Sequence, residues 1–402
     1  MTRVALVQEW MTTYAGSERV LEQLIALFPA ADVFCVADFL PEQQRRFLAG
    51  KTPRTTFIQR LPGAARAVQK LLPLMPLAVE SIDLSSYDVV ISSSHAVAKG
   101  VLTGPNQLHI CYCHSPARYA WDLQHQYLRE SGLDRGWKGV AARAMLHYFR
   151  LWDVRTAHGV DQFLANSRYI ARRIRKTYGR DSIVLPPPVD TSRFRPRAGP
   201  REGFFTASRI VPYKRLDVLV GAFRHLPGHK LSVAGTGPAL DRIRAGAPPN
   251  VEFLGHIPDG EMIQRMQSAR AFLFAAEEDF GIVLAEAQAC GTPVICYGAG
   301  GALDIVRDGE TGLFFSAQTA ESAAAAVRRF ELLEPDLDPL RIRASAERFS
   351  ASAFRQGFSE IYRKLAGELP ESFGLQMLDQ SCRIVSDDRV GARLDQLVPD
   401  IG

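Results

Sequence analysis

Hydrophobic residues make up 47% and charged residues 23% of the 402-residue chain, the balance of a soluble globular protein with apolar material for two cores. The 48 Lys and Arg against 43 Asp and Glu leave a net charge of +5, which favours anionic partners in general but is too small to argue for nucleic acid. No apolar run approaches the roughly 18 residues needed to cross a bilayer, and no segment interleaves basic and aromatic residues as RNA binders do.

Met1-Thr2-Arg3 runs straight into a predicted strand, Val4–Val7, which leaves no room for a signal peptide and predicts a cytoplasmic protein. Tyr14-Ala15-Gly16-Ser17-Glu18-Arg19 then precedes a helix through Leu21, Leu24 and Leu27, and Gly16 at its mouth would let a phosphate or sugar approach the backbone. The absence of G-x-G-x-x-G after this strand counts against a nicotinamide dehydrogenase. Leu61–Val79 carries Arg66 and Lys70 among leucines and prolines, and Arg168–Lys176 packs Arg172, Arg173, Arg175 and Lys176 into one helix. Each reads either as an amphipathic segment for an anionic membrane surface or as a core-facing helix with a solvated polar face.

Further strands are predicted at Val89–Ser92, Leu108–Cys113 and Phe163–Ala165. The second runs into His114-Ser115-Pro116-Ala117-Arg118-Tyr119-Ala120-Trp121, which puts His114 at a strand's carboxyl end beside a rigid proline. Arg118, Tyr119 and Trp121 either shape an acceptor side or pack the domain. Asn166-Ser167 follows the third strand and can reach a cleft floor.

Stacked prolines at Pro186-Pro187-Pro188 cannot continue a helix or donate to a sheet, so residues 186–200 read as a semi-rigid connector between a first domain, 1–185, and a second, 201–349. The second domain has predicted strands at Phe204–Ala207, Leu231–Ala234, Val251–Leu254, Ala271–Ala275, Val294–Cys296 and Gly312–Phe315. Fully apolar strands alternating with helical stretches predict an α/β protein of two doubly wound parallel sheets, with ligands at the carboxyl ends of the strands. A helix from about Ser350, with Phe354, Phe358, Ile361, Tyr362 and Leu365 at helical spacing, closes the fold over 350–366 and is expected to pack back toward the first domain. Residues 367–402 carry no clear pattern. The six cysteines, Cys35, Cys111, Cys113, Cys290, Cys296 and Cys382, form no C-x-x-C pair and read as buried thiols.

Chemistry concentrates in the second domain. Arg209 and Lys214 follow its first strand and suit the oxygens of a diphosphate, although such a pair is often simply solvated. Gly235 and Gly237 after the second strand form either a tight turn or a ligand loop. The strand Ala271–Ala275 ends in Glu277-Glu278-Asp279-Phe280-Gly281-Ile282, a glycine turn that opens a helix carrying Glu286 seven residues beyond Glu278. Two glutamates around such a turn accept hydrogen bonds from a hydroxyl-rich ligand, and the free amides of a helix start attract an anion. Hydroxyls plus an anion describe a nucleotide sugar.

In this order, Arg209, Lys214, the Gly235 loop, Glu278, Glu286 and Gly291-Thr292-Pro293 resemble the donor domain of retaining glycosyltransferases with the GT-B fold, the large family marked by two glutamates seven residues apart. The resemblance implies that Glu286 holds the ribose hydroxyls, that Glu278 contacts the donor sugar, with Phe280, Gly281 and Ile282 at the turn, and that Arg209 and Lys214 neutralise the diphosphate. It implies that His114 touches the donor sugar across the cleft. The string from His114 to Asp122 is most similar to bacterial mannosyltransferases that use GDP-mannose to build polysaccharides. The expectation is therefore metal-independent transfer of mannose, with retention, onto a polyprenyl-diphosphate-linked oligosaccharide, by an enzyme without cofactors that is peripheral on the inner face of the membrane. The alternatives are a UDP-sugar donor such as UDP-glucose, or a subunit that binds a nucleotide sugar without turnover. Asp336-Leu337-Asp338 reads as a turn and helix cap, not a metal site.

Overall fold

The computed structural model describes residues 2–367 of the chain. Its first half forms a seven-stranded sheet from β1 (Val4–Met11), β2 (Asp32–Asp38), β3 (Arg54–Thr55), β4 (Val89–Ser94), β5 (Leu108–Cys113), β6 (Gln162–Ala165) and β7 (Ser182–Val184), in the order β3-β2-β1-β4-β5-β6-β7. The second half forms a six-stranded sheet from β8 (Phe204–Ala207), β9 (Leu231–Ala234), β10 (Val251–Gly255), β11 (Ala271–Phe274), β12 (Val294–Tyr297) and β13 (Gly312–Phe315), in the order β10-β9-β8-β11-β12-β13. Every pairing is parallel.

The sheets are buried on both faces, which is why their strands are apolar throughout. Val4, Leu6, Val89 and Ile91 point into one core of the first lobe, while Ala5, Val7 and Val90 point into the other. In the second lobe Phe204, Leu273 and Ile295 share a core with Val327 and Phe330, and Phe205, Phe272 and Phe274 share the opposite one with Leu284. The ten strands predicted from sequence are all present. The three outside that set are β2 and the two short strands at the edges, β3 and β7. Each strand order reverses beside its first strand, between β1 and β4 and between β8 and β11, and a crevice opens at such a point. This is the GT-B architecture.

The chain crosses between the lobes at the proline connector and again after the second lobe, and the crossings are tied together. The Val189 amide donates to the Phe349 carbonyl at 2.7 Å, and Val189 forms a bridge with Ser350. The helix Ala351–Gly367 then returns to the first lobe, where Phe354, Phe358 and Tyr362 join its core. Phe28 meets Phe358 and Tyr362 edge-on, with ring centroids 6.1 and 5.3 Å apart. The patternless tail begins at the last residue of this helix, and from 368 onward it lies outside the described residues.

A buried ion pair braces the first lobe. Lys99 Nζ lies 2.8 Å from Asp153 Oδ1, with side chains 2% and 0% exposed. Lys99 also donates to Thr156 at 2.8 Å and faces the rings of Trp152 and Tyr178, while Asp153 accepts from Trp121 Nε1 at 2.7 Å and from the Tyr178 hydroxyl. The cluster joins the segment after β4 to the helices Gly136–Ala157 and Arg168–Tyr178. Deleting one member strands the other charge in apolar surroundings, so Asp153→Ala is expected to destabilise the protein by about 3–5 kcal/mol. Urea denaturation of the variant against the wild type measures it.

Candidate functional site

A cavity of about 600 Å³ opens between the lobes at the carboxyl ends of both sheets. The first lobe lines it with Gly16, His95, His114, Arg118 and Tyr119, and the second with Lys214, Glu278, Phe280, Gly281 and Ile282. Of the residues singled out in the sequence, ten therefore share one space: Gly16, His114, Arg118, Tyr119, Asn166, Lys214, Glu278, Phe280, Gly281 and Ile282.

Lys214 Nζ and Glu278 Oε1 are 2.5 Å apart, both largely shielded, with the ammonium also over the Phe274 ring. The loop carrying Glu278 is fixed from behind, because the Gly301 amide donates to the Glu278 carbonyl at 2.8 Å. Gly281 then takes a left-handed conformation, φ 91°, and begins the helix Ile282–Ala289.

Across the cleft His114 leaves β5 with its amide on the Ser94 carbonyl and its own carbonyl held by Asn166 Nδ2 at 2.8 Å. Its Nε2 lies 2.9 Å from Ser93 Oγ. Burial and the neighbouring His95 lower its pKa to about 3, so the imidazole presents itself neutral. His95 is placed by an internal anion. The buried Glu9 carboxylate accepts from the backbone amides of His95, Ala96, Val97 and Ala98 at 2.8–3.0 Å and from the Ser94 hydroxyl. A carboxylate inside the apolar strand β1 was the signal in the sequence, but its partners lie far away in the chain.

The lobes meet at Asp279. Its carboxylate takes Arg118 at 3.4 Å and Arg173 at 3.2 Å, and its carbonyl accepts from Ser167 Oγ at 2.5 Å, all from the first lobe. Burial raises the Asp279 pKa above the usual carboxylate value, against the pull of the two guanidiniums. Arg168 adds a second crossing to Asp304 at 2.6 Å. Asp279 and Arg173 were not singled out as site residues. Arg173 faces inward, unlike its exposed neighbours Arg172, Arg175 and Lys176, so it does not belong to a basic surface.

Five of the expected site residues are not among those that line the cavity. Arg209 is exposed in the loop after β8 and does not line the cavity. Gly235 and Gly237 do not line the cavity and sit at a close approach of two backbones: a Cβ on Gly235 would fall 1.9 Å from the Ser208 carbonyl oxygen, and one on Gly237 2.2 Å from that of Ile210. Their bare backbone lets the loop after β9 press on the loop after β8, which places Lys214 indirectly. Trp121 packs the first lobe, held by the buried Asp153, and does not reach the cavity. Glu286 is buried beside the cavity and paired with Arg19 of the first lobe at 2.6 Å. Asp338 caps a helix through the Leu340 amide at 2.8 Å.

Residues 14–193 match the family described as Glycosyltransferase Family 4, and residues 190–349 match Glycosyl transferases group 1. The matches meet at the connector, so each lobe matches one glycosyltransferase family model, and together they cover residues 14–349. Among curated relatives, the GDP-mannose-dependent alpha-(1-6)-phosphatidylinositol monomannoside mannosyltransferase of Mycobacterium tuberculosis is 31% identical over 228 residues, 49% of this chain and 57% of the relative. D-inositol 3-phosphate glycosyltransferase of Nocardia farcinica is 36% identical over 239 residues, 50% of this chain and 52% of the relative. The chain thus spans little more than half the length of the relatives it matches. Among solved structures, Anabaena HepE in complex with UDP superposes with a TM-score of 0.65 at 18% identity, covering 90% of this chain and 100% of that one. Sucrose-phosphate synthase of Thermosynechococcus elongatus gives 0.65 at 18% identity, covering 91% and 100%.

The neutral histidines carry a consequence for acid stability. Burial lowers the pKa of His109 to about 4, as it lowers that of His114 to about 3. An unfolded chain protonates its histidines near 6.5. Between that value and the folded ones the unfolded state binds more protons, so stability is complete above about pH 6.5 and falls as the pH drops toward 4. The urea midpoint is expected to be lower at pH 5 than at pH 7.5, with a shallower fall in His114→Asn.

Proposed function

We propose that the protein is a retaining glycosyltransferase that moves a sugar, in the first instance mannose from GDP-mannose, onto a lipid-linked oligosaccharide. The observation that carries the reading is the meeting of Lys214 and Glu278 in a cavity walled on its far side by His114 and Gly16. A departing nucleoside diphosphate gains negative charge as the glycosidic bond loosens, and preorganised cations stabilise that charge. Lys214 and the helix opening at Gly281 supply it here, and Arg209 joins them from the cleft edge when the lobes close. Glu278 accepts from sugar hydroxyls, and the neutral His114 faces the same sugar from the other wall. Charge neutralisation rests on these groups and not on a divalent ion. The curated mannosyltransferase relative supports the choice of donor, and UDP-glucose is the competing one.

Lys214→Ala is expected to lower turnover by roughly 10²–10³, the usual loss on removing one preorganised donor from a developing oxyanion. EDTA is expected to leave turnover unchanged. Mass-spectrometric assay of product and free nucleotide with GDP-mannose and UDP-glucose tests both and assigns the donor. Nucleotide binding with neither transfer nor donor hydrolysis would make the chain a binding subunit instead.

A membrane-borne acceptor also agrees with the exterior of the first lobe. The helix Gly136–Ala157 exposes Trp137, Val140, Tyr148 and Leu151 along one face, and Leu77 is exposed on the adjoining helix Met75–Glu80. Lys138 lies beside that face, Arg155 pairs with Glu80 of the adjoining helix, and the only acid in the helix Gly136–Ala157, Asp153, is buried against Lys99. Exposed aromatic rings beside basic residues suit the headgroup region of an anionic bilayer. Phe149, on the inner side of the same helix, packs against Tyr119 of the cavity wall, so a lipid held outside lies close to the site. Among the described residues no helix is long and apolar enough to cross a membrane. The protein is expected to sediment with phosphatidylcholine–phosphatidylglycerol vesicles. A Trp137→Ser, Tyr148→Ser, Leu151→Ser variant is expected to stay in the supernatant.

A further inference from the structure

The pairing of Arg19 with Glu286 joins residues 267 apart in sequence, one from each lobe, and leaves their side chains 26% and 11% exposed. The two helices that carry them start face to face. Gly16 opens one and Ile282 the other, so close that a Cβ on Gly16 would lie 3.2 Å from Ile282 Cδ1. Both starts line the cavity, and Glu286 sits about one turn behind Ile282. Arg19 Nη1 takes Oε1 of the carboxylate. A vicinal diol presents two O–H donors and matches both carboxylate oxygens, so it competes for the oxygen that the guanidinium holds.

We propose that Arg19 sets the affinity of the nucleotide site: it holds Glu286 and ties the lobes together, and it is displaced when the ribose diol of an incoming nucleotide takes the carboxylate. The inference rests on the reading of Glu286 as the ribose-binding residue. Binding then exchanges a lobe-to-lobe ion pair for ligand hydrogen bonds. The apparent affinity falls below the intrinsic one by the fraction of molecules in which the pair is open. Arg19 acts here as a positioning residue, because it touches Glu286 and not the ligand.

Isothermal titration of the full chain with GDP and with UDP tests this. For whichever nucleotide binds, Arg19→Met is expected to tighten Kd by about threefold to tenfold, the factor by which the closed pair restrains binding. Arg19→Lys keeps the charge and is expected to stay within about twofold of the wild type. Arg19→Gln serves in place of the methionine variant should that one not fold, and it is expected to shift Kd in the same direction. An unchanged or weaker Kd in the uncharged variants overturns the proposal, and weaker binding would mean that the guanidinium contacts the nucleotide or orients Glu286 for it. Glu286→Gln separates the two levels of the argument. It is expected to weaken binding at least about tenfold, since a ligand hydroxyl loses its charged acceptor. An unchanged Kd in that variant overturns the ribose reading itself, whatever the Arg19 variants do.

Discussion

The cleft works as one site because a carboxylate of the second lobe is neutralised by guanidiniums of the first. Asp279 is half-buried between Arg118 and Arg173, and without them its charge would be desolvated and unpaired. Each lobe is electrostatically incomplete alone. The consequence reaches the neighbouring residue, because the same loop carries Glu278. Ser167 fixes the Asp279 carbonyl from the first lobe, and Gly301 fixes the Glu278 carbonyl from the second. The distance from Glu278 to His114 is therefore governed by a cross-lobe cluster and not by chain connectivity.

That cluster is polar, whereas the hinge opposite it is not. The two chain crossings lie side by side at Val189 and Phe349, both buried, and the last helix anchors in the first lobe through aromatic packing. A rigid apolar hinge with a charged mouth gives a domain pair whose relative position is set by ion pairs. Such contacts are individually modest and screened by salt, so the lobes can part and re-form around a ligand without loss of either core.

How much of this was legible in the sequence depended on the range of the interaction. Strands buried on both faces announce themselves as apolar runs, and the turn from Glu278 to Glu286 is a local device, so the fold and the glycine turn into that helix could be read directly. The side chains that join distant segments could not. Arg173 looks like its neighbours Arg172 and Arg175, and only the packing of its helix turns it inward to Asp279. Trp121 sits in the informative string after β5, yet its indole answers a buried aspartate 32 residues further on. Gly235 and Gly237 were ambiguous because a tight turn and a ligand loop ask the same thing of the backbone, and the sequence does not show that Ser208 and Ile210 press against them.

The two lobes share one strand order and differ at the same point of it. In the first, the amides that follow β4 at the switch point are filled by the chain's own carboxylate, Glu9. In the second, the corresponding turn after β11 leads into a helix start that lines the cavity, and among the described residues no carboxylate is bonded to the amides of Gly281, Ile282 or Val283. Lys214 stands beside it. An anion entering the cleft thus meets an occupied nest on one wall, and a free helix start with a cation on the other. Equivalent topology with opposite filling makes the two walls of the cleft electrostatically unlike: the second lobe presents a helix start beside Lys214, and the first presents the neutral His114 and the loop shaped by Glu9.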